Sequence, residues 1–321
     1  MVSFVLYASS NNKGRQPDMK YTVTRRTPQS NVCICLADSR FSGRDLSLAD
    51  ISSLGGLRDF VREDPEATIE WGYWKKTALI NKAYALKYGY PVIMSNLSKY
   101  QSSFNEERNA VWLKPMFMRD MQYKRPDCKW FAMMDSDAYF WMANQTVDLA
   151  EWFSTKSLHE ATPRYHQFEE ERRRRGFYDW NDFDAFLLIG LNGVFSEPRE
   201  GYPNLYGGSN DDFICAGVYF IRNCPTSKRF LRDWVYGPTD ASEEERSAID
   251  YHAYHFPFEQ RILNLVLYPR YKDFIHIHSY RDFGSKDGTM IRHVWSQFWE
   301  MRSSMIETDL TETGIIQHTP P

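Results

Sequence analysis

Short apolar runs alternate with helix-length segments through the first 140 residues, and this alternation constrains the fold more than any other feature of the chain. Asn31-Val-Cys-Ile-Cys-Leu-Ala37 is a continuous apolar run that stops at Asp38-Ser39, as a strand buried on both faces does. Residues 43–70 mix Gly55-Gly56 with acidic positions and read as loops with a short helix. Over 74–88, Leu79, Ala83 and Leu86 recur near the 3.6-residue period, and Lys75, Lys76, Lys82 and Lys87 are expected off that face. Gly89 suits a helix C-terminus and Pro91 blocks continuation. A second strand follows over 91–94. A second helix spans 109–121, where Pro115 requires a late start or a kink. A third strand covers 129–134. Strand, helix, strand, helix, strand is the pattern of an α/β layer with a parallel sheet, in which ligands bind beyond the C-terminal strand ends. Asp135-Ser136-Asp137 falls at such an end.

The second half reads less regularly. Residues 144–183 look helical and charged, with Glu169-Glu-Glu171 and Arg172-Arg-Arg-Arg175 pairing acid to base on a solvated face, or forming a phosphate- or acceptor-binding patch. Residues 185–189 read as a strand, 190–212 as a long Gly-, Asn- and Pro-rich loop, 213–221 as a buried strand, 227–234 and 258–266 as helices, and 274–278 as a strand. The expected organisation is an N-terminal extension over 1–30, one domain over 31–300, and a C-terminal tail over 301–321.

Composition narrows the function classes. Lys plus Arg number 39 against 42 Asp plus Glu, a net charge of −3, which argues against a dedicated nucleic-acid or anionic-membrane binder. An aromatic content of 16% suits flat, partly apolar ligands, sugars among them, as well as a large core. No apolar stretch approaches the roughly 18 residues of a membrane span. The apolar start, Met1 to Tyr7, has no basic residues before it, so no signal peptide is expected. Two glycosylation sequons begin at Asn96 and Asn144. The cysteines, Cys33, Cys35, Cys128, Cys215 and Cys224, are odd in number and sparse, and are expected as reduced core residues without a disulfide.

Three groups could carry chemistry. Asp135 and Asp137, at i and i+2 where the backbone turns out of a strand, can converge on one hard divalent cation such as Mg²⁺ or Mn²⁺. Glu259-Gln260 opens a helix after His255-Phe-Pro257; they could face a reacting centre, or Glu259 could simply complement the helix dipole. His276 and His278 alternate on an apolar strand and read as structural. His293 in Ile291-Arg-His-Val-Trp295 could ligate a metal, which spacing alone does not decide.

Several of these segments together resemble glycosyltransferase family 34. Asn81-Lys-Ala-Tyr-Ala-Leu-Lys-Tyr-Gly-Tyr90 is similar to a helix-to-strand segment of that family. Trp112-Leu-Lys-Pro115 with Trp130-Phe-Ala-Met-Met-Asp-Ser-Asp-Ala138 is similar to its aspartate block. Cys215-Ala-Gly-Val-Tyr-Phe-Ile-Arg-Asn-Cys224, Phe258-Glu-Gln260 and His293-Val294 follow in the family's order. The chain departs from the family in having Cys215-Ala216 where an Asn is usual, and His293-Val-Trp-Ser296 where the family has His-Phe-x-Gly-Cys.

The resemblance implies a GT-A, Rossmann-like single α/β domain with a mixed, mostly parallel central sheet flanked by helices. Within it, 31–140 would be the nucleotide-sugar half and 141–300 the acceptor half. It further implies a metal-dependent, retaining transfer of a hexose or pentose from a nucleotide-sugar, a UDP-sugar favoured over a GDP-sugar, to a glycan acceptor, with Mn²⁺ or Mg²⁺ as cofactor. Asp135, Asp137 and His293 would hold the metal. Lys82, Asp135, Ser136, Asp137, Ala216 and Gly217 would approach the donor, and Glu259 and Gln260 would lie beneath the transferred sugar. No nucleic-acid partner and no membrane anchor in this chain are expected, and the location is left between cytoplasm and the lumen of a Golgi-type compartment. Two alternatives stand beside this reading. One is a silent nucleotide- or glycan-binding homologue. The other is a magnesium-dependent aspartate phosphatase, whose usual Gly-Thr after the Asp pair is here Ala138-Tyr139.

Overall fold

The computed structural model describes residues 32–63, 72–103, 109–141, 148–149, 187–191, 214–255, 258–271, 275–278, 288, 290–294 and 299–315. The expectations for 1–30, for the charged stretch 144–183, for the Asn144 sequon and for nearly all of the 190–212 loop lie outside the described residues.

The elements follow in chain order. β1 (Val32–Ala37) leads through α1 (Gly43–Leu46) and α2 (Leu54–Arg62) to α3 (Tyr73–Tyr88), then β2 (Val92–Ser95), α4 (Leu113–Lys124), β3 (Trp130–Met134) and β4 (Ala138–Phe140). After these come β5 (Leu187–Leu191), β6 (Ile214–Arg222), α5 (Pro225–Tyr236), α6 (Glu243–His252) and α7 (Glu259–Ile262), which runs on through a π-helical turn at Leu263–Leu267 and a last turn at Tyr268–Tyr271. β7 (Ile275–His278), β8 (Ile291–His293) and α8 (Trp299–Glu312) complete the order. The π turn has a local cause: Pro269 has no N–H to donate, and its ring crowds the carbonyl four residues back.

The main sheet has the order β2-β1-β3-β6-β5-β7, and a β4-β8 ribbon stands beside it. β1 pairs parallel with β2 and β3, β6 is antiparallel to β3 and β5, and β5 pairs parallel with β7. The expected α/β domain with a mixed, mostly parallel sheet flanked by helices is what the structure shows. β1 is buried along its whole length, and its two faces serve two cores. Val32, Ile34 and Leu36 join α2, α3 and α8, whereas Cys33, Cys35 and Ala37 join α4, α5 and α7.

The helix boundaries follow their signals. Gly89 ends α3 in the left-handed conformation, φ 75°, which costs glycine nothing. The second helix starts late, as Pro115 requires: Asn109 caps a short 3₁₀ turn, and α4 begins only at Leu113, leaving Pro115 in its first turn.

Three expectations are corrected. First, α3 is buried nearly all round, including Lys76 and Lys82, because α2, α8 and β4 cover what was read as its water-facing side. Second, the segment read as a tail forms α8, which buries Ile306 and Leu310 against α3. Asp309 accepts from Tyr139 (2.6 Å) and Arg292 (2.6 Å), and Glu307 pairs with Lys76. Third, Cys33 and Cys128 form a disulfide across 95 residues. Cys128 lies two residues before β3, the strand that pairs with β1, and its Cα stands 5.8 Å from that of Cys33, inside the range a disulfide spans. Cys35, Cys215 and Cys224 remain free. No described helix is long and apolar enough to cross a membrane.

Candidate active site

The Asp pair leaves β3 in a turn closed by Ala138 N–H donating to the Asp135 carbonyl (3.0 Å). Asp135 N–H donates to the Gly217 carbonyl (2.8 Å), which ties this turn to β6. β8 then runs antiparallel to β4 with His293 opposite Ala138, and Val294 N–H donates to the Asp137 carbonyl (2.9 Å). This register carries His293 to Asp137, with Nε2 3.2 Å from Oδ1. One donor atom each from Asp135, Asp137 and His293 lie within 4.8 Å of one another. Two carboxylates and an imidazole at that spacing fit a hard to intermediate divalent ion.

β6 is distorted where it meets this cluster. Ile189 pairs with Tyr219 and Leu191 with Ile214, so two steps along β5 face five along β6. The surplus falls at residues 215–218 and bulges the strand, a device that re-aims backbone beside binding sites. Gly217 sits in the bulge against the cluster. A Cβ there would stand 2.4 Å from His293 Cε1, 2.8 Å from Nε2 and 3.1 Å from Asp135 Oδ2, so a side chain does not fit. Cys215, where the family has Asn nearby, places its Sγ 3.6 Å from His293 Nδ1. The imidazole is thus held from both ring nitrogens.

Glu259 and Gln260 reach the same place from α7. The Trp234 indole donates to the Glu259 carbonyl (2.9 Å), and Asn264 bridges the Gln260 carbonyl (2.7 Å) to the Ile214 backbone (2.8 and 3.0 Å). The Gln260 side chain accepts from Ala216 N–H (3.2 Å). Phe258, just before Glu259, has φ 52° and ψ −129°, a strained conformation for a non-glycine residue that costs about 1–3 kcal/mol.

Lys114 joins the two halves. From the first turn of α4 its ammonium reaches Asp135 Oδ1 (2.9 Å) and Oδ2 (3.1 Å), and Glu259 Oε1 (3.0 Å). Burial pushes the Asp135 and Glu259 carboxyls above their usual range; Lys114 pulls against that and only partly cancels it. Burial also disfavours charge on Lys114, but the two carboxylates outweigh it and hold the ammonium well above its ordinary value. Asp137 is the opposite case. Burial works against its charge, but the His293 hydrogen bond and the charges of His293 and Arg302 lower its carboxyl below the usual range. Burial likewise opposes charge on His293, and Cys215 with Asp137 holds it well above its usual value.

The rim of the site is built on aromatic rings. Ser136 accepts from Arg40 Nη2 (2.8 Å) through its hydroxyl and from Thr77 (2.7 Å) through its carbonyl. Arg40 is locked to Asp38 through Nε (2.8 Å) and Nη2 (2.6 Å), and lies over the rings of Tyr73 and Trp74. Arg302 of α8 lies over Tyr73 from elsewhere, 4.3 Å from the ring centre, with Nη1 3.5 Å from Asp137 Oδ2.

Of the sequence candidates, Asp135, Asp137, His293, Gly217, Ala216, Glu259 and Gln260 are thus brought together, with Ser136 on the rim. Lys82 is not with them: its buried ammonium donates to the Ala49 carbonyl (2.8 Å), and burial lowers its pKa to about 8. Sequence reasoning assigned no role to Lys114, Arg40 or Arg302. Lys114 lay within the quoted Trp112-Leu-Lys-Pro115 block, which was its one signal; Arg302 lay in the supposed tail.

Residues 61–189 match the galactosyl transferase GMA12/MNN10 family, glycosyltransferase family 34. That match bears out the family resemblance. It includes α3, Lys114 and the Asp pair, while residues 215–224, 258–260 and 293 lie beyond it. No curated protein matches the chain. Among solved structures, a glycosyltransferase involved in glycosylation of the major capsid of PBCV-1 is 15% identical, with 85% of this chain and 98% of that one covered and a TM-score of 0.44. A galactosyltransferase, LgtC, in complex with donor and acceptor sugar analogs is 14% identical, with 90% and 97% covered and a TM-score of 0.40. Mouse xyloside xylosyltransferase 1 is 12% identical, with 82% and 96% covered and a TM-score of 0.35.

Proposed function

We propose that the chain is a divalent-metal-dependent glycosyltransferase that moves a hexose or pentose from a nucleotide-sugar, preferably a UDP-sugar, to a glycan acceptor with retention of configuration. The observation that carries this reading is the convergence of Asp135, Asp137 and His293 within 4.8 Å, beside a Glu259 held by a buried lysine. Asp135, Asp137 and His293 would hold Mn²⁺ or Mg²⁺, which supplies charge neutralisation to a departing diphosphate. Residues 31–140 would serve the donor and 141–300 the acceptor.

The chain's own groups suit same-face transfer. The acceptor oxygen bonds to the anomeric carbon as the bond to the phosphate oxygen breaks, and the acceptor proton passes to that phosphate oxygen. Glu259, already paired with Lys114, is a poor free nucleophile but a good fixed charge for a cationic sugar. Gln260, anchored by Ala216, points the sugar-facing edge of α7, and the bulge at Gly217 lets backbone come close. The Cys33–Cys128 disulfide favours the lumenal of the two expected locations, because disulfides persist in oxidising compartments.

The test is thermal stabilisation by UDP and by GDP, each with and without Mn²⁺, followed by a transfer assay. A ligand at a hundred times its Kd stabilises by roughly 2.7 kcal/mol. A metal-dependent shift with one nucleotide, followed by transfer, supports the reading. A shift without turnover points to a silent binding homologue. No shift together with phosphate release from simple phosphoesters refutes the reading in favour of the phosphatase. Near-normal transfer by Glu259→Gln would remove Glu259 as a nucleophile.

A further inference from the structure

We infer that Arg302 of α8 is a ligand of the donor's diphosphate, an inference that rests on reading the Asp135–Asp137–His293 cluster as the donor site. The argument is one of unspent donors. The Arg302 side chain is 11% exposed, and its guanidinium is positioned by stacking over Tyr73 rather than by its N–H groups. Nη1 stands 3.5 Å from Asp137 Oδ2, an ion pair at the edge of hydrogen-bonding distance, and the buried Nε has no hydrogen-bond partner among the described residues. Arg40 on the same ring differs: Asp38, Tyr73 and Ser136 take up its Nε, Nη1 and Nη2. A buried, planar cation with free N–H groups is the group that recognises phosphate oxygens in pairs.

Charge supports the same assignment. Three carboxylates, Asp135, Asp137 and Glu259, face two cations, Lys114 and Arg302. A divalent ion among them, with His293 as a neutral ligand, makes the site net positive by one charge. It would also draw on the Asp137 carboxylate, which His293 already engages, leaving Arg302 without a full partner. The loaded site therefore attracts an anion, and Arg302 is the cation with donors to offer it.

The test is calorimetric binding of UDP, GDP, uridine and inorganic pyrophosphate to the Mn²⁺-loaded protein and to Arg302→Gln and Arg302→Lys. Arg302→Gln should weaken the nucleoside diphosphate and pyrophosphate by about tenfold or more, the loss of a charge-assisted pair, and leave uridine unchanged. Arg302→Lys keeps the charge without the fork and should fall between; it decides the matter if the Gln variant melts early. Unchanged binding of diphosphate and pyrophosphate by either folded variant overturns the inference, as does an equal loss for uridine. A wild-type protein that binds neither UDP, GDP nor pyrophosphate refutes the donor-site reading itself, an outcome distinct from binding that ignores Arg302.

Discussion

Replacing Lys114 by Met isolates what the buried ammonium does. The side chain of Lys114 is 6% exposed and its Nζ is the shared partner of Asp135 and Glu259, at 2.9 and 3.0 Å. Met keeps the volume and removes the charge, so two buried carboxylates are left to face each other. Removing one partner of a buried ion pair costs about 3–5 kcal/mol, a large part of a domain's stability. The pH dependence gives the cost a signature. Both carboxyls already titrate above their unfolded values, and without Lys114 they rise further. Above the unfolded pKa of roughly 4, the folded variant then holds protons that the unfolded chain has released, so its stability falls as pH rises until the folded pKa is passed. The loss relative to wild type should be small near pH 4–5 and complete at neutral pH. Urea titrations followed by tryptophan fluorescence at both pH values measure it. Adding Glu259→Gln to the variant should recover part of the loss, because one unpaired charge is gone. A deficit under about 1 kcal/mol at neutral pH, or one equally large in acid, would refute the reasoning.

Two further changes test the frame around this cluster. Gly217→Ala places a methyl 2.4 Å from His293 Cε1; it should cost about 1–3 kcal/mol by overpacking and weaken Mn²⁺ binding by at least about tenfold, and a wild-type Mn²⁺ isotherm would show that the imidazole has room to move. Serine at both Cys33 and Cys128 should lower stability by about 2–5 kcal/mol in urea titrations under oxidising conditions and leave no response to added reductant; an unchanged midpoint would mean that the bridge does not tie β1 to β3 in solution.

The parts of this protein that were legible in its sequence are those governed by neighbours along the chain. β1 and β3 announce themselves as uninterrupted apolar runs because both faces are covered, and α3 ends where Gly89 and Pro91 require. The Asp pair was legible for a related reason: two carboxylates two residues apart leave a compact mark at a strand end. The bulge at 215–218 was not, because it exists only relative to β5. Nor was the disulfide, whose halves are 95 residues apart and meet only once β1 and β3 pair.

The buried basic residues share one feature. Lys76, Lys82, Lys114 and Arg302 sit on helices, where a local pattern assigns cations to water. All four are withdrawn from it, and each finds an acceptor from a distant segment: Glu307, the Ala49 carbonyl, Asp135 with Glu259, and Asp137. A buried carboxylate pair at a strand end carries its partner beside it in sequence. A buried ammonium or guanidinium needs only that its acceptors be near in space. The anionic half of a site like this one is therefore written locally, and the cationic half becomes visible only when the chain has folded. Lys114 and Arg302 are that cationic half, and in the proposed transfer a departing diphosphate would depend on it as much as on the aspartates.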